Sequence, residues 1–194
     1  MSVEIEMRAR FSQEDHDQLI SRLEQDGEDL GRDDKHIYFY VLPDQLLKVT
    51  DNIATNTAKI TLKANKIGQG NAFPETEIAI DRQDVEAAVR VFNALGFEHT
   101  MHDAYNQRRN FRFHGVEIAV KWSEAWGHHA EFEVLLGDQP SQAELQAANG
   151  RIETVAKQLG ITLMSDAELA EFTAAFEAGQ QVSKPSASEV TPAN

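Results

Sequence analysis

Val3-Glu4-Ile5-Glu6-Met7-Arg8-Ala9-Arg10 begins the chain with apolar side chains set between charged ones. Residues two apart share one face of a strand. Val3, Ile5 and Met7 therefore form one face, and Glu4, Glu6, Arg8 and Arg10 the other, of a strand expected over 3–11. Further stretches repeat the device with paired charges or polar groups at even spacing: Lys48 with Thr50 in 46–50, Lys59 with Lys63 in 57–65, Glu75 with Glu77 in 74–80, Arg108 with Arg112 in 105–113, and Glu131 with Glu133 in 130–136. An ordinary half-exposed sheet mixes its polar residues without such order. The apolar faces need cover. The charged faces then lie either in outside water or around a wide, wet lumen.

Working outward, the aromatic-rich segment 36–42 and the segment 116–122 complete a set of eight strands. His114-Gly115 makes a tight turn, so the two strands it joins read as a hairpin. Cover for the apolar faces comes from amphipathic helices expected over 12–27, 81–96, 141–160 and 165–176. Ser12 to Asp15, Ser141 to Glu144 and Ser165 to Glu168 have the spacing of helix-opening caps. Gly68-Gln69-Gly70-Asn71 reads as a turn. It lacks the Gly-Lys-Ser/Thr ending of a phosphate loop. The expectation is an α+β fold: an eight-stranded antiparallel β-barrel, open as a tunnel, with covering amphipathic helices. One domain spans 1–178, and the Ser-, Pro-, Ala- and Thr-rich stretch 179–194 reads as a disordered tail.

Composition narrows the function. The chain has 194 residues, 41% hydrophobic and 26% charged, enough for one sizeable core. It has no cysteine, which removes disulfides, thiolate zinc sites and a cysteine nucleophile. Acidic residues stand near the start in place of a signal peptide's apolar run, and no stretch approaches a membrane span. A cytoplasmic protein is expected. Its net charge of −14, from 32 acidic and 18 basic residues, repels nucleic acid and anionic membrane. A small anion in a cleft is not excluded, because local cations outweigh a distant, screened surface.

The charges also carry chemistry. Two Glu-x-Glu pairs, 4/6 and 131/133, could gather up to four carboxylates. Mg²⁺ and Mn²⁺ take oxygen ligands of this kind together with phosphates. Arg binds phosphate through paired hydrogen bonds and Lys as a point charge. His128-His129 is adjacent in sequence and lacks zinc-ligand spacing, so it reads as an exposed loop. Trp122 and Trp126 read as packing under the helices.

The same residues resemble the CYTH superfamily, the triphosphate tunnel metalloenzymes. Glu4-Ile5-Glu6-Met7-Arg8 resembles its opening Glu-x-Glu-x-Lys, Leu47-Lys48-Val49 its Leu-Arg-Ile, and Ile60-Thr61-Leu62-Lys63 its Leu-Thr-Leu-Lys. Glu75-Thr76-Glu77, Leu95-Gly96-Phe97, Arg108-Arg109-Asn110-Phe111 and Gly127-His128-His129-Ala130-Glu131-Phe132-Glu133 resemble later motifs in the family's order. The likeness runs from residue 3 to about 176. It implies an eight-stranded tunnel that binds a triphosphate with Mg²⁺ or Mn²⁺. In it Glu4, Glu6, Glu131 and Glu133 would be metal ligands, with Glu4, Glu6 and Arg8 at the reaction. Arg8, Lys48, Lys63 and Arg108 would grip phosphates, while Glu75 and Glu77 shape the far side of the lumen. This chain departs from the pattern at Arg8 (Lys in the family), Thr50 (Arg), Asn106 (Lys) and Lys121 (Asp). The last puts an ammonium where a metal-side carboxylate stands, and it could bind phosphate instead. The implied function is metal-dependent hydrolysis of an inorganic, nucleoside or thiamine triphosphate. The alternatives are a class IV-type adenylyl cyclase and a non-catalytic binder of nucleotide, polyphosphate or another organic anion. The expected partner is the small molecule alone, with the chain a monomer or homodimer.

Overall fold

Thirteen elements of a computed structural model, which describes residues 2–64, 71–97 and 100–182, carry the architecture. In chain order they are β1 (Ser2–Arg10), α1 (Gln13–Asp26), β2 (Glu28–Arg32), β3 (Lys35–Val41), β4 (Leu46–Asn52), β5 (Thr57–Lys63), β6 (Ala72–Ile80), α2 (Val85–Ala94), β7 (Thr100–Phe113), β8 (Val116–Ser123), β9 (Gly127–Leu136), α3 (Gln142–Gln158) and α4 (Asp166–Val182). A 3₁₀ turn, Arg82–Asp84, leads into α2.

Every pairing is antiparallel, in the order β2-β7-β3-β4-β5-β6-β1-β9-β8. The 14-residue β7 closes the ring. Its first part pairs with β3, from Thr100 to Asn106, and its second with β8, from Gln107 to Phe113. Eight strands thus make a closed barrel, and β2 hangs on β7 as a ninth, outer strand. A barrel of eight strands is just wide enough for side chains to fill its interior.

The apolar faces lie outside the ring and under the helices. Ile5, Ala9, Phe111, Ile118, Val120, Ala130 and Phe132 pack against Leu19 and Leu23 of α1 and Ala148, Ile152 and Val155 of α3. On the other side Tyr40, Val49 and Ala58 pack with Val85 and Phe92 of α2. The alternate faces therefore turn inward, which settles the choice between outside water and lumen. Two charges escape it at the tunnel ends. Lys59 is 44% exposed, and Arg112 is 49% exposed and reaches Glu28 and Glu117. Arg112 is thus no companion of Arg108.

His128 and His129 correct the expected loop: both lie in β9, and His129 is buried. Trp126 stacks on Phe172 of α4, ring centroids 4.6 Å apart. The expected Gly68-Gln69-Gly70 turn lies outside the described residues, as does the expected tail from 183 onward, α4 itself running to Val182. Among the described residues no helix is long and apolar enough to cross a membrane.

Candidate functional site

Register brings the charges together. β1 and β9 pair Glu6 with Glu133 and Arg8 with Glu131. β8 sets Lys121 beside His129 of β9 and Arg108 of β7. Across the ring β5 and β6 pair Lys63 with Glu75 and Thr61 with Glu77, and β4 places Lys48 against Thr61.

The interior divides into two ionic clusters. In one, Lys63 Nζ lies 2.7 Å from Glu4, 3.1 Å from Glu6 and 2.8 Å from Glu75. Burial opposes that ammonium, yet Glu6, Glu4 and Glu75 raise its pKa well above the usual lysine value. Lys63 also sits 4.7 Å from the ring centre of buried Phe73. In the other cluster Glu131 takes Lys121 Nζ at 2.8 Å, Arg8 Nε at 3.3 Å and Arg108 Nη1 at 3.5 Å. Burial alone would raise the Glu131 carboxyl, but Lys121, Arg8 and Arg108 hold it well below the usual range. Arg8 also contacts Glu6.

Glu4, Glu6 and Glu133 offer carboxylate oxygens that all lie within 4.8 Å of one another. Glu133 feels this crowding. Burial, reinforced by Glu4, Glu131 and Glu6 against the pull of Arg108, pushes its carboxyl up to about 8. A close set of partly buried carboxylate oxygens fits a hard divalent cation. The structure thus brings together three of the four carboxylates expected at a metal. Glu131 faces three cations instead.

Anion-binding capacity is equally concrete. Arg8 Nη1 is buried with no hydrogen-bond partner among the described residues. Lys48 is pressed down to about 8, first by burial and then by Lys63. Thr50 lies in register with Lys59, and Asn106 with Lys35. Lys59 reaches Glu77 at 2.5 Å and Lys35 reaches Asp33 at 2.7 Å. Burial and Arg108 press Lys35 down to about 8. Asp33, Lys35 and Asn52 are interior residues that the sequence reading missed. Asp33 accepts from Asn52 and from Asn110 at 3.1 Å, and pairs with Arg108, whose Nε lies 3.2 Å away and donates to Asn110 Oδ1. Position 35 opens an aromatic strand and 33 precedes it, and their charges are of opposite sign, so neither showed a like-charge pair at spacing two; their signal was the spacing of two between Asp33 and Lys35 itself. His129 is pushed down to about 3 by burial and Lys121, so it stands neutral beside the cluster.

No family model and no curated protein matches the chain. Solved structures do. A conserved hypothetical protein from Pyrococcus furiosus is 25% identical, with a TM-score of 0.67 over 83% of this chain and 94% of that one. A candidate adenylate cyclase from Vibrio parahaemolyticus is 18% identical, with a TM-score of 0.64 over 88% and 97%. A candidate adenylyl cyclase from Hippeastrum, described as having a dominant triphosphatase activity, is 20% identical, with a TM-score of 0.61 over 92% and 96%. At such identities the likeness is one of fold. The chain shares with them the fold described above, a closed antiparallel ring of strands.

Proposed function

We propose that the tunnel binds a triphosphate compound with Mg²⁺ or Mn²⁺ and hydrolyses it. One observation carries this reading: the three-carboxylate group of Glu4, Glu6 and Glu133 lies in the same interior as Arg8, Lys48, Lys63, Arg108 and Lys121. Glu4, Glu6 and Glu133 would hold the cation. When bound there, the ion supplies the charge that neutralises phosphate oxygens and eases phosphoryl transfer. Arg8 offers its unpartnered Nη1 to a phosphate oxygen. Lys48 and Arg108 grip the chain of phosphates, and Lys63 exchanges a carboxylate for a phosphate oxygen. Glu131 would offer a fourth oxygen donor if Arg8, Arg108 and Lys121 were to pair with the ligand instead. Glu75 and Glu77 keep Lys63 and Lys59 in place on the far side. Glu6, Arg8, Lys63, Lys121 and Glu131 are buried, so contacts among them act at a lower dielectric than in water.

A second reading, a non-catalytic anion binder, is favoured by the 2.8 Å pair between Lys121 and Glu131, which occupies a carboxylate. Incubation with tripolyphosphate, ATP or thiamine triphosphate, each with Mg²⁺ or Mn²⁺, separates the cases. Orthophosphate release supports the hydrolase. Cyclic AMP with pyrophosphate replaces it by the cyclase, and thermal stabilisation without product replaces it by the binder. The absence of both product and stabilisation sinks triphosphate recognition altogether. Lys121→Asp should raise metal-dependent turnover and tighten Mn²⁺ binding, because it frees Glu131 and adds a carboxylate. An unchanged or lower rate in a folded variant removes Lys121 from the metal's surroundings.

A further inference from the structure

Consecutive strand residues point to opposite sides, so while His129 faces Lys121 in the tunnel, His128 faces outward. There it meets His16 of α1. The two rings have centroids 4.7 Å apart and planes tilted by 59°. Asp17 Oδ1 lies 3.1 Å from His16 Nδ1. An ionised carboxylate only accepts, so this nitrogen carries the proton and Nε2 keeps its lone pair, the arrangement that orients metal-bound histidines. His128 Nδ1 is buried and has no hydrogen-bond partner among the described residues. Buried polar atoms almost always find a partner, so an orphan nitrogen beside a second imidazole calls for an explanation. Geometry supplies one. Two imidazoles on a tetrahedral zinc, with Zn–N of about 2.0–2.1 Å, place their ring centroids about 5 Å apart. The observed separation is close to that.

We infer that His16 and His128 form a second cation site, outside the tunnel, for a borderline divalent ion such as Zn²⁺, Ni²⁺ or Cu²⁺. Asp17 orients His16, and water fills the remaining positions. Two nitrogen donors select these ions over Mg²⁺ and Mn²⁺, which prefer the oxygen donors inside. The chain then carries two cation sites of opposite preference on the two faces of one strand, Glu133 on the inner face of β9 and His128 on the outer. The outer ion ties the first turns of α1 to the start of β9. The inference stands independently of the proposed hydrolysis.

The test is calorimetric titration of the full chain with zinc chloride, in excess magnesium chloride to saturate carboxylates. One zinc per chain is expected. Its affinity should fall at least tenfold in His16→Ala and in His128→Ala, and stay unchanged in Glu4→Gln. With Cu²⁺, electron paramagnetic resonance should show two coupled nitrogens in the wild type and fewer in either histidine variant. Circular dichroism checks folding, and His16→Gln serves as the second variant if His128→Ala does not fold. The inference is overturned if the wild type takes up no zinc, if both histidine variants bind it as the wild type does, or if Glu4→Gln alone abolishes it.

Discussion

Lys63 and Lys48 point into the same lumen from neighbouring strands, yet their ammonium groups stand on opposite sides of the usual lysine value. Three carboxylates within 3.1 Å or less surround Lys63. Burial and the nearby charge of Lys63 dominate at Lys48 and bring it down to about 8; Lys35, pressed by burial and Arg108, matches it. A polyanion binds the charged form of each. Both lysines are protonated below about 8, so affinity for metal-free tripolyphosphate should be highest there and fall as pH rises through 8. Bound phosphate draws the lysine pKa values back toward 10.5, so binding should take up protons. Glu133, also near 8, loses its proton over the same window and adds negative charge, which acts in the same direction. Calorimetry from pH 7 to 9.5 in two buffers of different ionisation enthalpy measures the uptake. Affinity that rises with pH would remove these lysines from the binding set. Period two and a paired charge put Glu4, Glu6, Arg8, Lys63 and Arg108 on one face of their strands; that this face turns inward was only what the resemblance implied, and the same pairing misled at Lys59 and Arg112. Which carboxylate a given cation chooses could not be read from sequence, since that depends on register between strands far apart in the chain, as at Arg8 and Glu131.

Most strands announced themselves through an apolar face, and β2 shows what happens without one. Glu28-Asp29-Leu30-Gly31-Arg32 buries almost nothing and is held on β7 by Arg109 to Asp29 and Arg112 to Glu28. An outer strand held by its backbone pairing and by charges, with a bulge at Leu30, leaves no hydrophobic period to read. Its junction with α1 is nevertheless tight. Gly27 closes the helix through its N–H to Leu23 O at 2.9 Å, and a Cβ there would stand 2.8 Å from that oxygen and 3.3 Å from Arg112 O. Both obstacles are backbone, so relief requires moving α1 or β7. Gly27→Ala should destabilise the chain by about 1–3 kcal/mol, as overpacking does, and lower the melting temperature accordingly. Gly137→Ala, where nothing lies within 4 Å, is the control and should melt near the wild type. Equal melting of the two variants would show that the junction relaxes freely.

Across the whole molecule, Arg8, Lys35, Lys48, Lys63, Arg108 and Lys121 withdraw a third of the 18 basic residues into the barrel. These six are matched inside by Glu4, Glu6, Glu75, Glu131, Glu133 and Asp33, so the field that an approaching ligand meets is set by the net charge of −14 on the rest of the chain. A free triphosphate is repelled at long range and attracted only at the tunnel mouth. Salt distinguishes the two stages. The screening length falls from about 30 Å at 0.01 M to about 8 Å at 0.15 M ionic strength, while buried contacts are screened far less. The association rate of metal-free tripolyphosphate should rise over that range, the reverse of electrostatic steering, and the dissociation rate should change little. Trp126, whose ring centre lies 5.8 Å from Arg8 Cζ, gives a stopped-flow signal close to the lumen. An association rate that falls with salt would mean that the cations at the mouth reach past the acidic exterior. The ligand's approach would then be governed by Lys59 and Arg112 at the tunnel ends, and charge reversal at those two positions should abolish the salt dependence.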